Sequence, residues 1–241
     1  MPHLKLVLLV AAVIIVLYAA YQYALIARAR AIGAPLAAAA VPYEQHPADA
    51  ARFILVMGDS TAAGVGASSS SESLAGRIGA RYPDADIENL GVSGAQLPDL
   101  LAKIPSVPRD HYDLILLQIG ANDVVYGSVG KARERIHQMY AWASAHADRV
   151  VSLSSGDIGL SPVFRWPLST YMERRTLRVR ADYLSEAALF PNVSYVDLFL
   201  YRQDDPFGKD VPKYYAPDHF HPSSDGYAYW FEKAGPYLPK F

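Results

Sequence analysis

The sequence predicts an α/β protein: a three-layer α/β/α sandwich on a five-stranded parallel sheet, preceded by an N-terminal transmembrane helix. Three observations carry this. Five short apolar runs recur along the chain, separated by stretches of helical character. The runs are continuous rather than alternating, as expected of strands covered on both faces. A further apolar segment, at the N-terminus, is far too long for a strand.

That segment covers residues 6–27, and only Gln22 in it is clearly polar. As a helix rising ~1.5 Å per residue it spans roughly 30 Å, the thickness of a bilayer core. Tyr18, Tyr21 and Tyr23 gather toward its far end, where an interfacial aromatic belt sits. Arg28 and Arg30 end it. A cleaved signal peptide has a shorter apolar region, about 7–15 residues, and then a small-residue cleavage site. The Ala-x-Ala candidates, Ala27/Ala29 and Ala29/Ala31, enclose arginines. The expectation is therefore an uncleaved anchor over residues 1–30, with a signal peptide as its rival. Lys5 on one flank and Arg28 and Arg30 on the other barely discriminate orientation. The usual N-in arrangement places the domain outside the cytoplasm, on the periplasmic side. Residues 31–50 are rich in Ala and Pro without a period and read as a linker. The domain then occupies residues 51–241.

Within the domain, strands are expected at 53–57, 85–90, 114–119, 150–153 and 193–198. Helical stretches fall at 73–81, 97–104, 131–147, 169–189 and 223–237. Strands alternating with helices give a doubly wound, flavodoxin-like sandwich, whose sites form beyond the carboxyl ends of the strands.

Composition narrows the function. Charged residues make up 19% and the formal net charge is -2, so no basic excess points to nucleic acid. The absence of cysteine excludes disulfides, thiolate metal sites and a catalytic thiol.

The informative residues cluster at strand ends. Gly58-Asp59-Ser60 follows the first strand, Asn89-Leu90-Gly91-Val92-Ser93-Gly94 the second, and Gly120-Ala121-Asn122-Asp123 the third. Asp218-His219-Phe220-His221-Pro222 follows the fifth and opens the last helix. All four groups should meet on one rim of the sheet. A serine hydroxyl becomes a useful nucleophile when a base takes its proton. His221 is such a base for Ser60, and Asp218, three residues earlier, can hold its imidazole. The backbone N–H groups of Ser60 and Gly94 and the side-chain amide of Asn122 are candidate donors to an oxyanion.

These four blocks, in this order, resemble the SGNH, or GDSL-type, serine hydrolases over about residues 51–237. GDS matches the nucleophile block. Asn89, Gly91 and Gly94 match the glycine block, Gly120, Asn122 and Asp123 the asparagine block, and Asp218, His221 and Pro222 the D-x-x-H-P block. The opening GDSTAAGVGA looks most like small bacterial acyl esterases of that family. The resemblance implies no metal or other cofactor and hydrolysis of small-molecule or lipid acyl esters or thioesters. A carbohydrate O-acetyl esterase of the cell envelope and an inactive binding module on the same fold are the alternatives.

Other readings compete residue by residue. Ser60 alone would suit a helix cap, Gly94 a tight turn and Asn122 a left-handed turn position. Asp59 and Asp123 read as loop-ordering residues. Ser93 lies in a G-x-S-x-A variant of the nucleophile elbow, but after a weaker strand. Gly64-Val65-Gly66 lacks the third glycine of a dinucleotide fingerprint, since Ser69 stands there. Asp218, His219, His221 and Asp225 are metal-ligand types without a metal-site spacing. Phe164 and Trp166, in the Pro-bounded segment 162–167, and Tyr171 and Met172 just after it suit an acyl pocket, a lid or cover for the helix layer. Arg174, Arg175, Arg178 and Arg180 read as a solvated basic face or a contact for anionic headgroups.

Overall fold

The computed structural model describes residues 2–241. Its strands are β1 (Arg52–Gly58), β2 (Ala85–Gly91), β3 (Tyr112–Gln118), β4 (Ala147–Leu153) and β5 (Val193–Val196). They form one parallel sheet in the order β2-β1-β3-β4-β5. Helices follow the strands: α1 (Pro2–Ala39) precedes the sheet, then α2 (Leu74–Arg81), α3 (Leu97–Lys103), α4 (Ala121–Val125), α5 (Ala132–Ala145), α6 (Leu168–Ala187), α7 (Pro206–Lys209), α8 (Val211–Tyr214) and α9 (Ser224–Ala234).

The period-2 geometry of the strands divides the core. Leu55, Met57, Ile115 and Leu117 face α3, α5 and α6 in one cluster. Ile54, Val56, Leu114 and Leu116 face α2 and α9 in the other. This is the predicted three-layer sandwich, with β1 and β3 central and their carboxyl ends side by side.

Boundaries differ where pairing overrides composition. β4 starts at Ala147 rather than 150, because Tyr112 and Leu114 of β3 pair with Ala147 and Arg149. The short helices α4, α7 and α8 were not expected. Two of them are held by side-chain caps: Asp205 accepts from Phe207 N–H at 2.8 Å, and Asp210 from Lys213 N–H at 3.3 Å.

The larger difference is at the N-terminus. Residues 31–39, expected in a linker, continue α1, which is a single 38-residue helix with Pro35 inside it. Alanine-rich composition without an apolar period describes a good helix former here. Residues 40–50 form neither helix nor strand but are not free. Gln45 exchanges two backbone hydrogen bonds with Ile87 (3.2 and 2.7 Å), and its side chain donates to Ala85 O at 2.8 Å. β2 is an edge strand, and this segment covers its open side.

Candidate active site

The end of β1 turns sharply at Asp59. Its Oδ1 accepts from the Thr61 N–H at 2.9 Å and the Thr61 hydroxyl at 2.8 Å. Burial raises the Asp59 pKa. The carboxyl is occupied in shaping the turn that presents Ser60.

Ser60 Oγ lies 2.9 Å from Nε2 of His221, and Nδ1 of the same ring lies 2.5 Å from Oδ2 of Asp218. The loop carrying both partners is organised by Asp218 itself. Its Oδ1 accepts from the N–H groups of Phe220 and His221, each at 3.0 Å, which leaves Oδ2 for the ring. His219 takes the left-handed conformation (φ 58°) that the turn requires, and its carbonyl accepts from the Ser161 hydroxyl at 2.8 Å. Burial alone would raise the Asp218 pKa. The hydrogen bond from His221, its charge and the two backbone N–H groups together hold it below the ordinary carboxylate range.

The second and third strand ends complete the rim. Asn89 ties β2 to the Ser60 turn: Nδ2 donates to Ala62 O at 2.9 Å and Oδ1 accepts from Gly91 N–H at 3.0 Å. Gly94 has φ 84°, a conformation that favours glycine, and a Cβ there would meet nothing within 4 Å. Asn122, at the start of α4, donates one amide hydrogen to Ala95 O at 3.0 Å and keeps the second uncommitted. Among the described residues, the backbone N–H groups of Ser60 and Gly94 have no protein acceptor. Asp123 accepts from Leu97 N–H at 3.0 Å, fixing the start of α3, and burial raises its pKa to about 6.

Ser60, Gly94, Asn122, Asp218 and His221 all line one cavity of about 500 Å³. Ser93 lines it too, but is exposed and makes no side-chain hydrogen bond among the described residues. No group of three or more His, Asp or Glu residues is arranged to hold a metal among the described residues. Val163 and Phe164 of the Pro-bounded segment form part of the wall, with Leu168 and Met172 of α6 beside them. Trp166 does not line it and is 77% exposed.

Sequence reasoning passed over several residues. Ile26, Ala29, Gly33 and Ala37 of α1 form the opposite wall. The one polar interruption of the apolar run, Gln22, was the signal available: it is buried (5% exposed) and bonded to the domain. Arg175 is not part of a basic face. It donates to Val124 O (2.5 Å), Gly127 O (2.6 Å) and Asp123 O (3.3 Å), closing the end of α4. Arg180 pairs with Asp197, again within the fold. Nothing separates these arginines from Arg174 by sequence alone.

A family model, the GDSL-like Lipase/Acylhydrolase family, matches residues 56–229. The chain belongs to that family. It is thus a carboxylic ester hydrolase of the GDSL type, as its four motif blocks imply. Its fold is also that of known structures. A member of the lipolytic G-D-S-L family from Veillonella parvula superposes with a TM-score of 0.60 at 19% identity, covering 78% of this chain and 99% of that one. Axe2, an acetylxylan esterase from Geobacillus stearothermophilus, gives 0.55 at 18% identity, covering 80% and 96%. An extracellular lipase from Streptomyces rimosus gives 0.56 at 18% identity, covering 78% and 100%. No curated protein matches the chain by sequence.

Proposed function

We propose that this GDSL hydrolase works through an acyl-enzyme on Ser60. Ser60 Oγ bonds to the ester carbonyl carbon while its proton passes to His221 Nε2. The carbonyl oxygen becomes an oxyanion, met by the N–H groups of Ser60 and Gly94 and the free amide hydrogen of Asn122. Collapse expels the alcohol, or a thiol from a thioester, which takes the proton from His221. Water repeats the sequence on the acyl-enzyme and releases the carboxylic acid. Asp218 holds the imidazole in the tautomer with Nε2 free and stabilises its charged form. The observation that carries this reading is the unbroken chain Ser60 Oγ–His221 Nε2 (2.9 Å) and His221 Nδ1–Asp218 Oδ2 (2.5 Å).

The space beside Ser60 favours an acyl chain longer than acetate. Its wall is apolar at Ile26, Val163, Phe164, Leu168 and Met172. We read α1 as a retained anchor, because Gln22 makes paired contacts to the domain: Nε2 donates to Val163 O at 2.6 Å and Oε1 accepts from Arg165 N–H at 2.9 Å. The N-in orientation, with the domain outside the cytoplasm, remains the proposed arrangement.

The test is hydrolysis of p-nitrophenyl esters from acetate to palmitate by the full chain, beside Ser60→Ala. The variant should lose about 10⁴-fold or more in kcat. Equal activity in Ser60→Ala would put the nucleophile elsewhere, and a folded but inert parent would sink the esterase reading. Turnover confined to acetate would favour the O-acetyl esterase.

A further inference from the structure

The anchor helix does more than tether the domain. Residues facing the domain recur along α1 at Tyr18, Gln22, Ile26, Ala29, Gly33 and Ala37, a single helical stripe. Its membrane-distal half is small. Ala29, Gly33 and Ala37, one turn apart, leave open the volume that larger side chains would fill, and that volume is the cavity over Ser60. Gly33 brings the helix onto the site itself: a Cβ there would fall 2.8 Å from Oδ2 of Asp218.

A second apolar hollow runs along the same helix toward its N-terminus. Tyr18, Ala19 and Tyr23 bound it on one side and Pro167, Leu168 and Tyr171 on the other. Ile26 and Leu168 line both spaces, so the hollow adjoins the cavity. From Tyr18 to Gly33 the helix advances ~22 Å.

The depth of that hollow follows from the apolar run, which starts after Lys5. Residues 6–17 stand exposed, all clear of the domain. They account for ~18 Å of helix, whereas a bilayer core needs ~30 Å. The hydrocarbon layer must therefore take in roughly six to eight residues more, to about Tyr23 or Leu25. This is where Tyr18 donates to Arg165 O at 3.0 Å and where Gln22 is clamped. The exposed rings of Tyr23 and Tyr171, which both bound the hollow, then fall near headgroup level, as a membrane-interface belt would. The outer end of the hollow opens where lipid tails begin.

We infer that α1 is a wall of the substrate site and that the substrate is a bilayer-resident lipid ester with a long acyl chain. The chain passes from the membrane along Tyr18, Ile26 and Ala29 and delivers its ester carbonyl to Ser60. This rests on the serine-esterase reading above. It explains why so much exposed apolar surface surrounds the helix–domain junction, and why an otherwise apolar run carries one glutamine that fixes the helix rather than leaving it free to swivel.

The chain has no cysteine, so a single reporter is clean. Ala29→Cys is placed in the full chain, in vesicles of ether-linked phosphatidylcholine, which offer no ester to cleave. Hexadecyl and methyl phosphonofluoridates are compared. In each, Ser60 Oγ bonds to phosphorus, fluoride leaves, and the serine proton passes to His221. The hexadecyl probe should slow maleimide modification of the cysteine roughly tenfold by covering it, and the methyl probe should not. Labelling of Ser60 by both probes with no difference at the cysteine would overturn the inference while leaving the esterase intact. Failure of both probes to label Ser60 would remove the esterase reading and this inference with it, and labelling by the methyl probe alone would overturn the inference while leaving the esterase intact. A second variant, Ala29→Trp, fills the cavity without a reporter. Its ratio of palmitate to acetate turnover should fall roughly tenfold or more, and an unchanged ratio would count against the inference.

Discussion

Gly33 of α1 and Asp218 of the site loop are packed so closely that a Cβ at position 33 would stand 2.8 Å from the Asp218 Oδ2 that holds His221. Real Cβ atoms do not approach an oxygen that closely, so any side chain at 33 must displace the helix or the carboxylate. Gly33→Val should therefore lower kcat even on a short ester, by roughly tenfold, as a small misplacement of a catalytic group does. The measurement is kcat on p-nitrophenyl acetate with the full chain, alongside its thermal unfolding. A variant with parental kcat would mean that the helix does not sit on Asp218 in the working enzyme, as would follow if it were cleaved.

The contact also marks where the sequence stops being legible. The sheet and its major helices were readable because the strands are continuous apolar runs and the stretches between them have helical character. That Ser60, Asp218 and His221 lie together was readable because their motif blocks follow strands whose carboxyl ends share one rim. Residues 31–39 were not, since alanine without an amphipathic pattern serves a linker and a helix equally. Gly33 and Ala29 matter through the space they leave, and no local pattern encodes that. Arg175 looks like its neighbouring arginines, and only the carbonyls of Val124 and Gly127 distinguish it.

Asp218→Asn tests the orienting carboxylate. Asn keeps an oxygen for the N–H groups of Phe220 and His221, so the loop should survive. Its amide then points donor hydrogens at His221 Nδ1 and forces the other tautomer, in which Nε2 carries a proton and cannot take one from Ser60. The expected loss in kcat is about 10⁴, with KM little changed. A loss of only a few-fold would mean that Asp218 is a loop anchor and no more.

Asn122→Ala removes the proposed side-chain donor to the oxyanion. Because that interaction matters only when the oxygen is charged, kcat should fall about 10²–10³ while KM stays near the parent value. The variant also leaves Ala95 O without its partner, so a modest drop in Tm accompanies it. If KM rose and kcat held, Asn122 would be binding ground-state substrate instead.

The pH dependence of stability has a definite sign. Burial raises Asp123, Asp157 and Asp205 to about 6, and raises Asp59 as well. A carboxyl whose folded pKa lies above its unfolded value destabilises the fold when ionised. That cost is full above pH 6 and is relieved as the pH falls through 6 toward the unfolded value near 4. Asp218 behaves in the opposite way: held low, it contributes stability that is lost only as the pH falls below about 4. Between pH 7.5 and 5.5 the first group decides, and Tm should rise by several degrees, turning down only in stronger acid. Asp157→Asn keeps the acceptor for the Gly159 N–H, which Asp157 Oδ1 meets at 2.8 Å, and should flatten the slope. Calorimetric scans at the two pH values decide the matter. A Tm that falls on acidification to 5.5, or an Asn variant with the parental slope, would show that these carboxyls are not the groups that titrate.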